Sequence, residues 1–127
     1  MDRNLDIAIV GGGIAGLTAA LSLHAAGFRP TVYEAVQKPA PLGVGINLLP
    51  HAVRELAELS LLDELLGLGV AITDLNYLTA TGELVWHEPR GLAAGYHWPQ
   101  IAIHRGQLQM FLIEKVQQRL GPQAMRF

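Results

Sequence analysis

The feature that most constrains this chain is a glycine run set between a strand and a helix. Leu5–Val10 reads as a short buried strand that stops at Gly11-Gly12-Gly13. From Ile14 to Ala26 the apolar positions Leu17, Ala20, Leu21 and Ala25 recur at helical spacing, and Gly27 is placed to end that helix. Pro30–Glu34 follows as a second strand rich in β-formers. Gly11, Gly13 and Gly16 therefore form a G-x-G-x-x-G turn inside a βαβ unit. An acid, Glu34, closes the second strand 18 residues after Gly16, close to the ~20 of dinucleotide-binding folds.

Each position has a physical role in such a site. Gly11 permits the tight turn, Gly13 leaves room for a pyrophosphate, and Gly16 lets the helix approach the strands. The first-turn amides, including those of Ile14 and Ala15, direct N–H groups and the positive helix end toward phosphate. Glu34 is placed to accept hydrogen bonds from ribose hydroxyls and would repel a 2′-phosphate. Glycines that only shape a turn are the competing reading; the full βαβ context disfavours it. The motif alone does not choose between FAD and NAD.

Beyond Glu34, residues 35–41 read as a loop and residues 42–47 as a glycine-rich extended segment. Pro50 opens a helix to about Leu59. Residues 60–63 resemble a capping box starting a further short helix, ended by Gly67 and Gly69. Residues 71–80 and 84–87 flank Thr81-Gly82-Glu83 as a β-hairpin. Residues 91–99 form a loop, 101–104 a strand, and 107–120 an amphipathic helix with Leu108, Phe111, Leu112, Val116 and Leu120 on one face. Residues 123–127 look like the start of another strand. The predicted class is α/β: a Rossmann-like βαβ unit with added helices and a hairpin, its sheet incomplete at the C-terminus.

Composition removes several alternatives. Half of the 127 residues are hydrophobic, which suits a packed core. Nine Lys and Arg against eleven Asp and Glu leave no basic excess for nucleic acid. Residues 7–28 carry no charge, but the three glycines interrupt the run, and Asp2 and Asp6 flank a single Arg3, which disfavours a membrane span or secretory leader. Cysteine is absent, which agrees with a cytoplasmic setting. The histidines show no metal-ligand spacing, and no catalytic side chain stands out. Trp86, Tyr96 and Trp98 are read as packing residues first and substrate neighbours second.

Three blocks in order, residues 41–50 (PLGVGINLLP), 51–56 (HAVREL) and 103–108 (IHRGQL), resemble the N-terminal part of single-component FAD-dependent aromatic hydroxylases, and residues 41–47, 88–91 and 103–106 look particularly similar to a phenazine-modifying member. These are the group related to para-hydroxybenzoate and salicylate hydroxylases, including phenazine-modifying members. The resemblance implies that Gly11, Gly13, Gly16 and Glu34 hold the ADP half of FAD. It implies that Gly43, Val44 and Gly45 pass near the flavin and its ribityl chain, and that Arg105 contacts the ribityl and pyrophosphate region. It further implies NADH or NADPH as electron donor, O₂ as oxidant, and a phenazine- or benzoate-like aromatic substrate.

Two further FAD signatures of that family, and its substrate domain, are not found in residues 1–127. The chain is thus expected to be the N-terminal part of an FAD-binding domain, inactive by itself, with exposed apolar edges that permit oligomers. Two other readings stay open: an NAD-dependent oxidoreductase of Rossmann type, and a non-catalytic nucleotide-binding module.

Overall fold

The computed structural model describes residues 5–127; Asp2 and Arg3, used above against a leader, lie outside them. In chain order the elements are β1 (Ile7–Val10), α1 (Ile14–Ala25), β2 (Pro30–Tyr33), β3 (Gly45–Leu48), α2 (Pro50–Glu58), α3 (Leu62–Leu68) and β4 (Val70–Ile72). Then come β5 (Asp74–Leu78), β6 (Leu84–Pro89), β7 (Gln100–His104), α4 (Arg105–Leu120) and β8 (Met125–Arg126). They form two compact units, one of residues 5–44 with 105–127, the other of residues 45–104.

The first unit contains the expected βαβ element. β1 pairs parallel with β2, Ile7 opposite Pro30 through Val10 opposite Tyr33, and β8 adds to the other side of β2 at Val32 and Tyr33. The strand expected within residues 123–127 is therefore real but only two residues long. α1 packs against α4. Leu17, Ala20 and Leu21 of α1 and Leu108, Phe111, Leu112 and Val116 of α4 are buried, as the periodicity predicts. Ala25 is exposed instead, because the chain turns away there. Gly27 N–H donates to His24 O and Phe28 N–H to Leu23 O, a Schellman closure with Gly27 at the left-handed position.

The second unit is built on an antiparallel sheet in the order β3-β7-β4, with α2 against β7, and on a separate two-stranded hairpin, β5-β6. Leu48, Val53, Leu56, Leu61, Leu65, Ile101 and Ile103 are buried in it. Two expectations need correction. Ser60 is not an N-cap: α3 starts after Leu61 without a side-chain cap. Ser60 instead takes the left-handed conformation that closes α2, with φ 58°; its N–H donates to Ala57 O and that of Leu61 to Leu56 O. The buried Leu61 supplies the apolar contact that such a closure favours. Gly67 lies inside α3, and Gly69 alone caps it.

Residues 71–80 are not one hairpin strand. The chain switches sheets at Thr73: β4 pairs with β7, and β5 pairs with β6. Thr73 O accepts from Arg90 N–H at the switch. The turn at residues 81–83 is as expected, closed by Thr79 N–H to Glu83 O and Gly82 N–H to Thr79 O. Tyr77, Leu78, Leu84, Val85 and Trp86 of the hairpin are all exposed. No helix among the described residues is long and apolar enough to cross a membrane.

Truncating the α4 core tests this packing. Leu112→Ala is expected to cost about 2–5 kcal/mol, read from the urea midpoint. Ser60→Gly is expected to stabilise by about 1 kcal/mol and so raise that midpoint, because glycine carries no Cβ penalty in the left-handed region.

Candidate dinucleotide-binding site

The turn after β1 is set by sterics. Gly11 has φ +106°, a conformation that side chains rarely adopt, and its N–H donates to Tyr33 O at 2.7 Å, extending the parallel ladder by one rung. A Cβ at Gly16 would fall on the carbonyl oxygen of Gly11 and lie 3.2 Å from Ile9 Cγ2. Only glycine lets α1 start so close under the strand. Gly13 is the N-cap of α1, extended, with no side-chain cap, and nothing lies within 4 Å of where its Cβ would be. The first turn, with Ile14, Ala15 and Gly16, carries no acid. It therefore presents backbone N–H groups into open space, a suitable seat for phosphate oxygens.

Glu34 stands at the end of β2. Its own N–H donates to Arg126 O of β8 at 2.7 Å. Its carboxylate accepts from Val36 N–H at 2.8 Å and from Gly12 N–H at 2.7 Å, one bond to each oxygen. The Val36 bond, then the Gly12 bond, hold its pKa below the usual glutamate value, against a smaller opposing effect of burial. The acid is thus ionised at neutral pH and oriented by two amides. Each oxygen keeps a further lone pair for a hydroxyl donor.

Gly43 and Arg105 lie side by side. Gly43 has φ +118°, and a Cβ there would sit 3.7 Å from Arg105 Cβ and 3.8 Å from Cδ. Arg105 N–H donates to Val44 O at 3.0 Å, which starts α4 two residues before the expected Gln107. The Arg105 side chain is exposed, and no carboxylate of the described residues pairs with it. A cation at a helix N-terminus opposes the helix dipole, so an external anion is its natural partner. Gly45 belongs to the other unit, where it opens β3 opposite His104.

Two contributors escaped the sequence reading. Gly12 supplies the amide that fixes Glu34, and a Cβ on it would meet Glu34 Oε2 at 2.9 Å. Gln109 Nε2 on α4 donates to Gly12 O at 2.9 Å, tying the turn to a helix 97 residues further on. The glycine run hints at the first; nothing in the sequence marks the second.

Residues 6–43, which contain the turn and Glu34, match the family model described as FAD dependent oxidoreductase. The chain is 50% identical over 122 residues to phenazine 1,6-dicarboxylic acid hydroxylase PhzS of Lysobacter antibioticus, covering 95% of this chain and 30% of that protein. The chain is therefore similar in sequence to an aromatic-ring hydroxylase over nearly its whole length. A further relative is 3-hydroxybenzoate 6-hydroxylase of Polaromonas naphthalenivorans, 32% identical over 118 residues, 91% of this chain and 30% of that protein. The chain spans about 30% of the length of these two relatives. Among solved structures, Klebsiella pneumoniae HpxO complexed with FAD and uric acid shares the fold with TM-score 0.79 at 22% identity, over 99% of this chain and 31% of that one. Pseudomonas putida p-nitrophenol 4-monooxygenase PnpA does so with TM-score 0.76 at 24% identity, over 99% and 31%.

Two variants test the site's construction. Gly16→Ala is expected to destabilise by about 1–3 kcal/mol, read by urea denaturation, since the methyl overpacks a backbone oxygen. The depressed pKa of Glu34 stabilises the fold above the unfolded glutamate value of 4.5, and this is lost as pH falls through the lower folded value. Glu34→Gln is expected to flatten that acid limb of the midpoint-versus-pH curve.

Proposed function

We propose that residues 1–127 form the N-terminal, ADP-holding part of an FAD-binding domain, in a monooxygenase that hydroxylates an aromatic, phenazine- or benzoate-like substrate with NAD(P)H and O₂. The observation that carries this reading is the uncapped start of α1 opening beside Gly13, with an oriented carboxylate at Glu34. The first-turn amides of Ile14, Ala15 and Gly16 would take the pyrophosphate. Glu34 would take the adenosine ribose. Arg105, seated on Gly43, would supply the counter-charge. FAD, when bound, supplies the electron transfer and oxygen activation for which no side chain here is equipped. A cytoplasmic setting agrees with the absence of cysteine.

An NAD-dependent dehydrogenase is the competing reading. Against it, the third parallel strand arrives only at Met125, after a separate unit of residues 45–104. The family model that residues 6–43 match, FAD dependent oxidoreductase, also favours FAD.

The test is flavin retention. The chain, alone or extended to the length of its relatives, is purified and titrated with FAD and with NAD, following flavin absorbance and fluorescence. FAD is expected to bind more tightly than NAD, and Arg105→Ala and Glu34→Gln to weaken it by about tenfold each. Preferential NAD binding, or an extended form that never retains flavin, overturns the proposal.

A further inference from the structure

The middle glycine of the turn is held from both sides. Gly12 N–H donates to Glu34 Oε2 at 2.7 Å, and Gly12 O accepts from Gln109 Nε2 at 2.9 Å. No other donor among the described residues reaches that carbonyl. Gln109 stands one turn after Arg105 on α4, and residues four apart share a helix face. One face of α4 therefore carries both the cation beside Gly43 and the amide that reaches the glycine run. The placement of α4 does not depend on this bond. Leu108, Leu112 and Val116 are buried, and a Cβ at Gly106 would collide with the backbone of Pro41 and Leu42, so the helix is seated by its own packing.

The peptide between Gly12 and Gly13 is planar and trans, so its C=O and N–H point in opposite directions. By drawing Gly12 O toward α4, Gln109 turns Gly13 N–H away from that helix. Gly13 N–H has no acceptor among the described residues, and nothing lies within 4 Å of where a Gly13 Cβ would be. It stands just ahead of the first-turn amides of α1, which have no intrahelical partner. A peptide flanked by two glycines meets no Cβ on either side as it rotates, so sterics alone do not fix its plane. The Glu34 bond restrains the preceding peptide, through Gly12 N–H. Only the Gln109 bond restrains this one.

We propose that Gln109 is a positioning residue for the dinucleotide: its amide sets the plane of the Gly12–Gly13 peptide and so keeps Gly13 N–H available to the pyrophosphate. This rests on the reading of the α1 turn as the seat of ADP. Gln109 touches no ligand atom and acts through Gly12 alone. Without its donor the peptide is free to rotate, which puts a carbonyl oxygen where the anion needs an N–H. Gly12 is buried, so its carbonyl is also left without a partner. The role requires the donor and not the bulk of the side chain.

The experiment uses the whole chain, with ADP as the probe. Gln109→Met keeps nearly the same volume, carries no charge and has no donor. ADP affinity is measured by calorimetry at a temperature where the urea curve shows each variant fully folded. An isotope-labelled sample reports the NMR signals of the Gly12 carbonyl and the Gly13 amide. Gln109→Met is expected to weaken ADP by about tenfold and to move both signals in the free chain. Should it misfold, Gln109→Glu, which sets a carboxylate oxygen against Gly12 O, is expected to lose at least about as much. Val116→Ala, about two turns further along α4, is expected to lower the urea midpoint and leave the signals and the affinity unchanged. Wild-type affinity in the Gln109 variants overturns the proposal, and so do unmoved Gly12 and Gly13 signals. A Val116→Ala variant that reproduces both effects also overturns it, by assigning them to helix packing. A wild-type chain that binds no ADP refutes the dinucleotide reading and this role with it, whereas ADP bound equally by wild type and Gln109 variants refutes only the role of Gln109.

Discussion

The contact between the Gly11 carbonyl and the bare Cα of Gly16 is the constraint on which the first unit depends. Helix α1 begins under the end of β1 only because residue 16 has no side chain. That approach aims the first helical turn at the space beside Gly13. It also brings Gly12 N–H within 2.7 Å of Glu34. One missing methyl thus couples three things: the packing of helix on sheet, the opening left for a phosphate, and the orientation of the acid at the end of β2.

The same coupling explains which parts of the site were legible in the sequence. Gly11, Gly13, Gly16 and Glu34 can be read because local geometry dictates them: a left-handed turn, an open cap, a close approach and a strand end all leave marks in residue type and spacing. Gly43 and Arg105 were singled out only through family likeness, and their contact was not foreseen, since 62 positions separate them. Gln109 was invisible. A glutamine on a half-buried helix face carries no sign that its amide reaches a backbone oxygen 97 residues earlier. The fold shows the same division. The βαβ unit and the α4 face follow from periodicity. Ser60 misled because serine is common at helix starts, whereas here it ends α2 in a conformation usually left to glycine. The break at Thr73 was hidden because β4 and β5 are both strands and differ only in their partners.

Sheets of opposite character share the chain. The parallel one, β1-β2-β8, gathers strand ends and a helix start around a backbone site made mostly of amides and one carboxylate. The unit of residues 45–104 is antiparallel, and its polar chemistry is carried by side chains. Backbone sites suit ligands recognised by phosphate.

The discontinuity of the first unit has a consequence for the order of assembly. Residues 45–104 are continuous in sequence, and every strand pairing they make lies within 60 residues. They can therefore close during synthesis, with little loop entropy to overcome. The parallel sheet cannot be completed until residues 125 and 126 emerge to pair with residues 32 and 33. Until then α1 has no α4 to cover it. The charge-free stretch of residues 7–28 thus leaves the ribosome before residues 45–104 but is buried only after them, and the interval between the two events is when its apolar surface is most exposed to aggregation.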